Sequence, residues 1–190
     1  MRKEICICED IDSCRRSIAS RTRIFILMHH RELCRTTNTA RLATLALAGC
    51  EIRVRGLRGA PMTDEGIVDP ERHALLLYPT AEARELTPEF AASLDKPVTL
   101  IVPDGTWGQA AKVAKREAFL KNVERVKLTP IEASQYGLRR NPKENGLATF
   151  EAIARALGMI EGPLIQKRLE ELFQVMVSRT LRSRGLPLGG

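Results

Sequence analysis

Three short apolar runs do most to limit what this chain can fold into: Arg23-Ile24-Phe25-Ile26-Leu27-Met28, His73-Ala74-Leu75-Leu76-Leu77-Tyr78 and Pro97-Val98-Thr99-Leu100-Ile101-Val102. A strand wetted on one face alternates polar with apolar residues. These runs do not, so they read as strands covered on both faces, as in a parallel sheet between helices. The segments between them supply that cover. Asn38 or Thr39 can cap a helix through Ala40 to Leu47, stopped by Gly49. Thr106 with Gln109 has the capping-box spacing before a helix over Ala110 to Ala118, and a helix from Thr149 to Leu157 ends at Gly158. Pro163 opens a last helix with Ile165, Leu169, Leu172, Phe173 and Met176 on one stripe. A further short strand is expected from Glu51 to Val54, followed by a Gly- and Pro-rich loop from Arg55 to Asp69. The fold class is therefore α/β, with a mostly parallel sheet flanked by helices.

With 190 residues the chain is long enough for one compact core and too short for two full enzymatic domains. Its formal net charge of +7 favours an anionic partner such as nucleic acid, although a plain basic protein explains the charge equally well. Aromatic residues make up 4%, too few for a platform that stacks single strands unspecifically. No segment approaches the roughly 20 consecutive apolar residues of a membrane span, and the N-terminus lacks a secretory apolar run, so a cytoplasmic location is expected. Five cysteines, mostly near the N-terminus, do not suggest a secreted disulfide framework. Cys6 and Cys8, with Cys14 and Cys34, are candidate zinc thiolates in a poor spacing, and Cys50 looks incidental.

In open α/β sheets, ligands bind beyond the carboxyl ends of the strands. Here those ends carry His29 with Glu32, Tyr78-Pro79, and Asp104-Gly105-Thr106-Trp107, which meet at one rim if the strands are parallel. Asp104 leaves an apolar strand just before a helix, a place suited either to a general base or to a helix cap. Trp107, the single tryptophan, is either a pocket wall or, preferentially, a packing residue that fixes the Asp104 loop. His29 and Glu32 have the spacing of half a metal or acid/base pair, with a structural hydrogen bond as the plainer alternative. The polar stretch from Gly137 to Leu147 is either a cofactor cradle or an exposed loop.

In order along the chain, Cys6-Ile7-Cys8, Ile26-Leu27-Met28-His29 with Glu32, Asn38-Thr39-Ala40-Arg41, Leu77-Tyr78-Pro79, Asp104-Gly105-Thr106-Trp107 with Gln109, Leu138-Arg139, and Leu147-Ala148-Thr149-Phe150-Glu151-Ala152 resemble the DTW-domain family. These are the tRNA-uridine aminocarboxypropyltransferases, relatives of the knotted SPOUT-class RNA methyltransferases. The chain departs from the family pattern in lacking a Cys-x-x-Cys before Cys6, in Ala148 where a serine is usual, and in His30 where a proline is usual. On the resemblance, residues 1–22 are the remnant of a zinc-binding region. Residues 23–178 are then a SPOUT-like catalytic domain with a C-terminal trefoil knot, and 179–190 a basic, flexible tail.

The resemblance implies S-adenosylmethionine as donor of a 3-amino-3-carboxypropyl group to N3 of a tRNA uridine, with methylthioadenosine released. Asp104 is then the catalytic base. Leu77, Tyr78, Pro79, Thr106, Leu138, Arg139, Leu147 and Thr149 line the donor pocket, and His29, Arg41, Arg139 and Arg140 meet the RNA. Cys6 and Cys8 are what remains of a metal site. Two alternatives stand beside this reading: a SPOUT-like RNA methyltransferase, and a noncatalytic RNA-binding or ribosome-assembly protein.

Overall fold

The computed structural model describes residues 5–36, 38–59, 62–128 and 147–185. Its elements run α1 (Cys8–Ser17), β1 (Arg23–His29), α2 (Ala40–Ala46), β2 (Cys50–Arg55), β3 (His73–Leu77), β4 (Arg84–Glu85), α3 (Pro88–Ala92), β5 (Val98–Asp104), α4 (Trp107–Arg116), β6 (Glu124–Lys127), α5 (Thr149–Glu161) and α6 (Pro163–Ser183). The six strands form one sheet in the order β2-β1-β5-β3-β6-β4, with every neighbouring pair parallel.

The three apolar runs are β1, β3 and β5, side by side at the centre. Period-two alternation sorts their side chains into two cores. Ile24, Ile26 and Met28 of β1, Leu75 and Leu77 of β3, and Val98, Leu100 and Val102 of β5 face α2, α5 and α6. Phe25, Leu27, Leu76 and Ile101 face the other way, onto Val113 and Ala114 of α4 with Leu120 and Ile67. Both faces are dry, which is why no alternation was visible in the sequence.

Register opens the carboxyl edge. β5 runs beside β1 as far as Met28 opposite Asp104, but beside β3 only to Leu76 opposite Ile101. The last residues of β5 thus project past β3. Pro103 lies in that overhang, where its missing N–H deprives β3 of no partner.

Gly158 does not stop α5. The helix continues to Glu161 and ends at Gly162, whose φ of +107° a side chain rarely adopts. Gly158 instead lets Gln166 of α6 pack against the α5 backbone. α6 likewise runs on through Arg179 to Ser183, and Arg179 pairs with Asp10 of α1 at 2.9 Å and donates to the Cys6 carbonyl.

The cysteines separate. Cys14 is a core residue of α1, its thiol 3.7 Å from the Arg168 carbonyl of α6. Cys34 is exposed in the turn after β1, and Cys50 is buried at the start of β2. Cys6 and Cys8 bring their thiols to 3.2 Å, but among the described residues no group of three or more His, Cys, Asp or Glu is placed to hold a metal. Two thiolates do not fit a four-ligand zinc site, so the proposed four-thiolate cluster fails. No helix among the described residues is long and apolar enough to cross a membrane.

Candidate active site

Strand parity decides which way each rim residue faces. Asp104 continues the series Val98, Leu100, Val102 and so points to the α2 and α5 side of the sheet. His29 continues Phe25 and Leu27 and falls on the α4 side, as does Tyr78 after Leu76. The chemically marked strand ends do share one edge, but they are divided between its two faces.

On the α2 and α5 side, Asp104 is 5% exposed and holds two hydrogen bonds, one to each oxygen. Asn38 Nδ2 donates to Oδ2 at 2.7 Å, and Thr149 Oγ1 donates to Oδ1 at 2.5 Å. Asn38 is itself fixed, because its Oδ1 accepts at 2.9 Å from the amide of Ala40, the first residue of α2. Its neighbour Thr39 accepts from the Phe150 amide in the first turn of α5 at 3.3 Å. The Glu151 carboxylate accepts from the Ala148 amide, closing the start of that helix. Three chain segments are thus tied together around one carboxylate, which lies at the positive end of the α5 dipole.

Asp104 is therefore not a helix cap. That task falls to Thr106, whose hydroxyl accepts from the Gln109 amide at 3.3 Å while Gln109 Oε1 accepts from the Thr106 amide at 2.7 Å. Gly105 between them has φ +151°, and a Cβ there would come within 2.7 Å of Gln109 Oε1. Only glycine suits the turn that carries Asp104 into α4.

Trp107 is not a packing residue. It is 44% exposed, with its ring centroid 6.5 Å from that of half-buried Tyr78. Pro79 beside Tyr78 is exposed, whereas Leu77 and half-buried Leu147 pack into the core on the Asp104 side. Leu138, Arg139 and Arg140 lie outside the described residues.

His29 and Glu32 do not form a pair. His29 Nδ1 accepts from the Arg31 amide at 3.3 Å, which leaves Nε2 as the protonated nitrogen of the neutral ring. Burial, then His30, Arg31, Arg55 and Lys112, hold its pKa below the ordinary 6.5, so the ring is uncharged at neutral pH. Glu32 turns away and lies buried, its Oε1 3.4 Å from Arg35 Nη1. Arg41 is exposed, one guanidinium nitrogen donating to the Leu33 carbonyl at 2.6 Å.

The sequence reading named Thr149 for the donor pocket and missed Asn38 as a partner of Asp104. The two are 66 residues apart, and no spacing rule connects them. The DTW domain model matches residues 1–181. The chain belongs to the DTW-domain family. This DTW domain is 29% identical over 185 residues to the tRNA-uridine aminocarboxypropyltransferase 2 of Macaca fascicularis, covering 95% of this chain and 61% of the relative. It is 30% identical over 162 residues to the enzyme of that name from Drosophila melanogaster, covering 83% of this chain and 62% of that one. To the tRNA-uridine aminocarboxypropyltransferase A of Arabidopsis thaliana it is 30% identical over 202 residues, covering 91% and 75%. The chain thus spans about three-fifths of the length of the two animal proteins. No solved structure matches it significantly.

Proposed function

We propose that this DTW domain transfers the 3-amino-3-carboxypropyl group of S-adenosylmethionine to N3 of a tRNA uridine. The observation that carries the reading is the Asp104 carboxylate, fixed at the overhanging end of β5 by Asn38 and Thr149, in a chain similar along most of its length to proteins named for that transfer. The donor supplies a carbon made electrophilic by its sulfonium. Asp104 takes the N3 proton as the N3 lone pair bonds to that carbon. The carbon–sulfur bond breaks with its electrons left on sulfur, giving neutral methylthioadenosine. Which carbon reacts is set by how the donor is held, because three carbons flank the sulfonium.

The exposed Trp107 and half-buried Tyr78 offer flat apolar faces at the rim, which suits an adenine ring. Leu77, Pro79, Thr106 and Leu147 are assigned to the donor with them, as are Leu138 and Arg139 on the family resemblance alone, whereas Thr149 is taken up by Asp104. Arg41, Arg139 and Arg140 are assigned to the tRNA backbone. His29 joins them as a neutral Nε2–H donor rather than as a cation. We further propose a SPOUT-like fold with a C-terminal trefoil knot. Its support is the family resemblance, together with the return of α5 against α2, α3 and the central β5.

Purified protein, S-adenosylmethionine and unmodified tRNA should yield aminocarboxypropyluridine by mass analysis of the nucleosides. Added mass of a methyl group instead would establish the methyltransferase reading. Salt-sensitive tRNA binding with no donor binding by calorimetry would establish the noncatalytic one.

A further inference from the structure

We infer that Asn38 and Thr149 are positioning residues for Asp104: they fix the plane of its carboxylate and so hold its free lone pairs toward the uridine. The inference rests on the proposed transfer reaction. An amide Nδ2 donates and cannot accept, so in the 2.7 Å bond Oδ2 is the acceptor. Asn38 cannot flip to relieve this constraint, since its Oδ1 is engaged by the Ala40 amide. The Thr149 hydroxyl occupies Oδ1 at 2.5 Å from the first residue of α5. Each oxygen retains lone-pair capacity, and with both ends of the carboxylate tied the plane of the group is set. Neither residue needs to touch the uridine or the donor. Both act through Asp104, and both come from helix starts that are joined by the bond from the Phe150 amide to Thr39.

This arrangement separates two jobs of Asn38 that a single substitution can resolve. Asn38→Asp keeps the oxygen that accepts from the Ala40 amide and replaces the donor facing Asp104 with a second carboxylate oxygen. Thr149→Val is nearly isosteric and removes the hydroxyl, whereas Thr149→Ser keeps it.

The test is steady-state kinetics of the full chain with S-adenosylmethionine and a tRNA transcript, alongside wild type and Asp104→Asn. Asn38→Asp and Thr149→Val should lower kcat roughly ten- to a hundred-fold while KM for donor and tRNA moves less than about three-fold. Thr149→Ser should restore kcat to within about three-fold of wild type. A residue serving the fold alone would change the melting temperature without this split and without rescue. If Asn38→Asp does not fold, the Thr149→Val and Thr149→Ser pair decides. An active wild type in which Thr149→Val, or a folded Asn38→Asp, turns over within about two-fold of it would overturn the positioning roles and leave the reaction standing. A wild type that makes no aminocarboxypropyluridine would overturn both.

Discussion

Gln166 of α6 lies against the bare Cα of Gly158 in α5: a Cβ added there would come within 2.9 Å of the Gln166 Cβ and closer still to its amide oxygen. The Gln166 amide is held in turn by Glu170 at 2.8 Å, so the side chain is not free to swing away. Glycine inside a helix ordinarily costs about 1 kcal/mol relative to alanine. Overpacking costs about 1–3 kcal/mol, and at this contact it outweighs the propensity gain. Gly158→Ala is expected to lower the melting temperature by about 2–4 °C per kcal/mol lost. Gln166→Ala should undo the loss in the double variant. A rise in melting temperature for Gly158→Ala alone would show that α6 yields at this point.

Asp104→Asn separates chemistry from stability. The Asn38 amide can only donate, so the new side chain must turn its oxygen to Asn38 and its NH2 to Thr149, whose hydroxyl can rotate to accept. Both bonds survive in altered form, and stability should change by less than about 1 kcal/mol. Turnover should fall roughly 10²- to 10⁴-fold, because the acceptor for the N3 proton is gone. Donor binding by calorimetry is expected to persist. Undiminished turnover would remove Asp104 as the base.

The central strands were legible because burial on both faces leaves an uninterrupted apolar run, and the Thr106 and Gln109 capping box was legible because its partners are three residues apart. β6 was not. Of Glu124–Lys127 only Val126 is buried, and charged residues at an exposed sheet margin give no periodic signal. Two-residue β4 and five-residue α3 are shorter than any pattern that hydrophobic spacing can reveal. α1 was readable in principle, since Ile7, Ile11, Cys14 and Ile18 pack on the core at helical intervals, but its cysteines drew attention to metal chemistry instead. Gly158 shows the limit of local rules: glycine as helix stop and glycine as contact point for another helix are identical in sequence. At the site, parity tells which strand neighbours share a face with Asp104 and with His29, but only the register of β5 on β1 places the two on opposite faces. The Asn38 bond to Asp104 depends on tertiary packing.

The acid side of stability should depend on His29. Burial first, and then His30, Arg31, Arg55 and Lys112, depress its pKa below 6.5, so the unfolded chain binds that proton more readily than the folded one. The contribution is whole above pH 6.5 and is lost as pH falls through the folded value below it. In His29→Asn the side-chain carbonyl can still accept from the Arg31 amide, but nothing titrates. Urea unfolding of wild type and variant between pH 8 and pH 5 should therefore show the wild type losing more stability on acidification. Parallel curves would mean that His29 is as free to protonate in the folded protein as in the unfolded chain.

Thiol reactivity should divide the five cysteines by their surroundings. Burial, and secondarily Glu51, pushes the Cys50 thiol up to about 12, so it stays protonated and unreactive at neutral pH. Burial raises Cys14 as well. Cys6 differs, because the Cys8 amide and thiol stabilise its thiolate and lower its pKa, while Cys8 is raised by the same contact. With iodoacetamide at pH 7.5, mass mapping of the native protein should find Cys6 modified first and Cys8 and Cys34 more slowly. Cys14 and Cys50 should react only after unfolding. The raised value of Cys50 also predicts alkaline sensitivity, with stability intact below pH 9 and declining as pH rises toward about 12. Cys50→Ala, which cannot ionise, should flatten that decline at the cost of a cavity worth a few tenths to about 1 kcal/mol. Modification of Cys50 in the folded protein at a rate near that of Cys34 would show that the start of β2 opens to solvent.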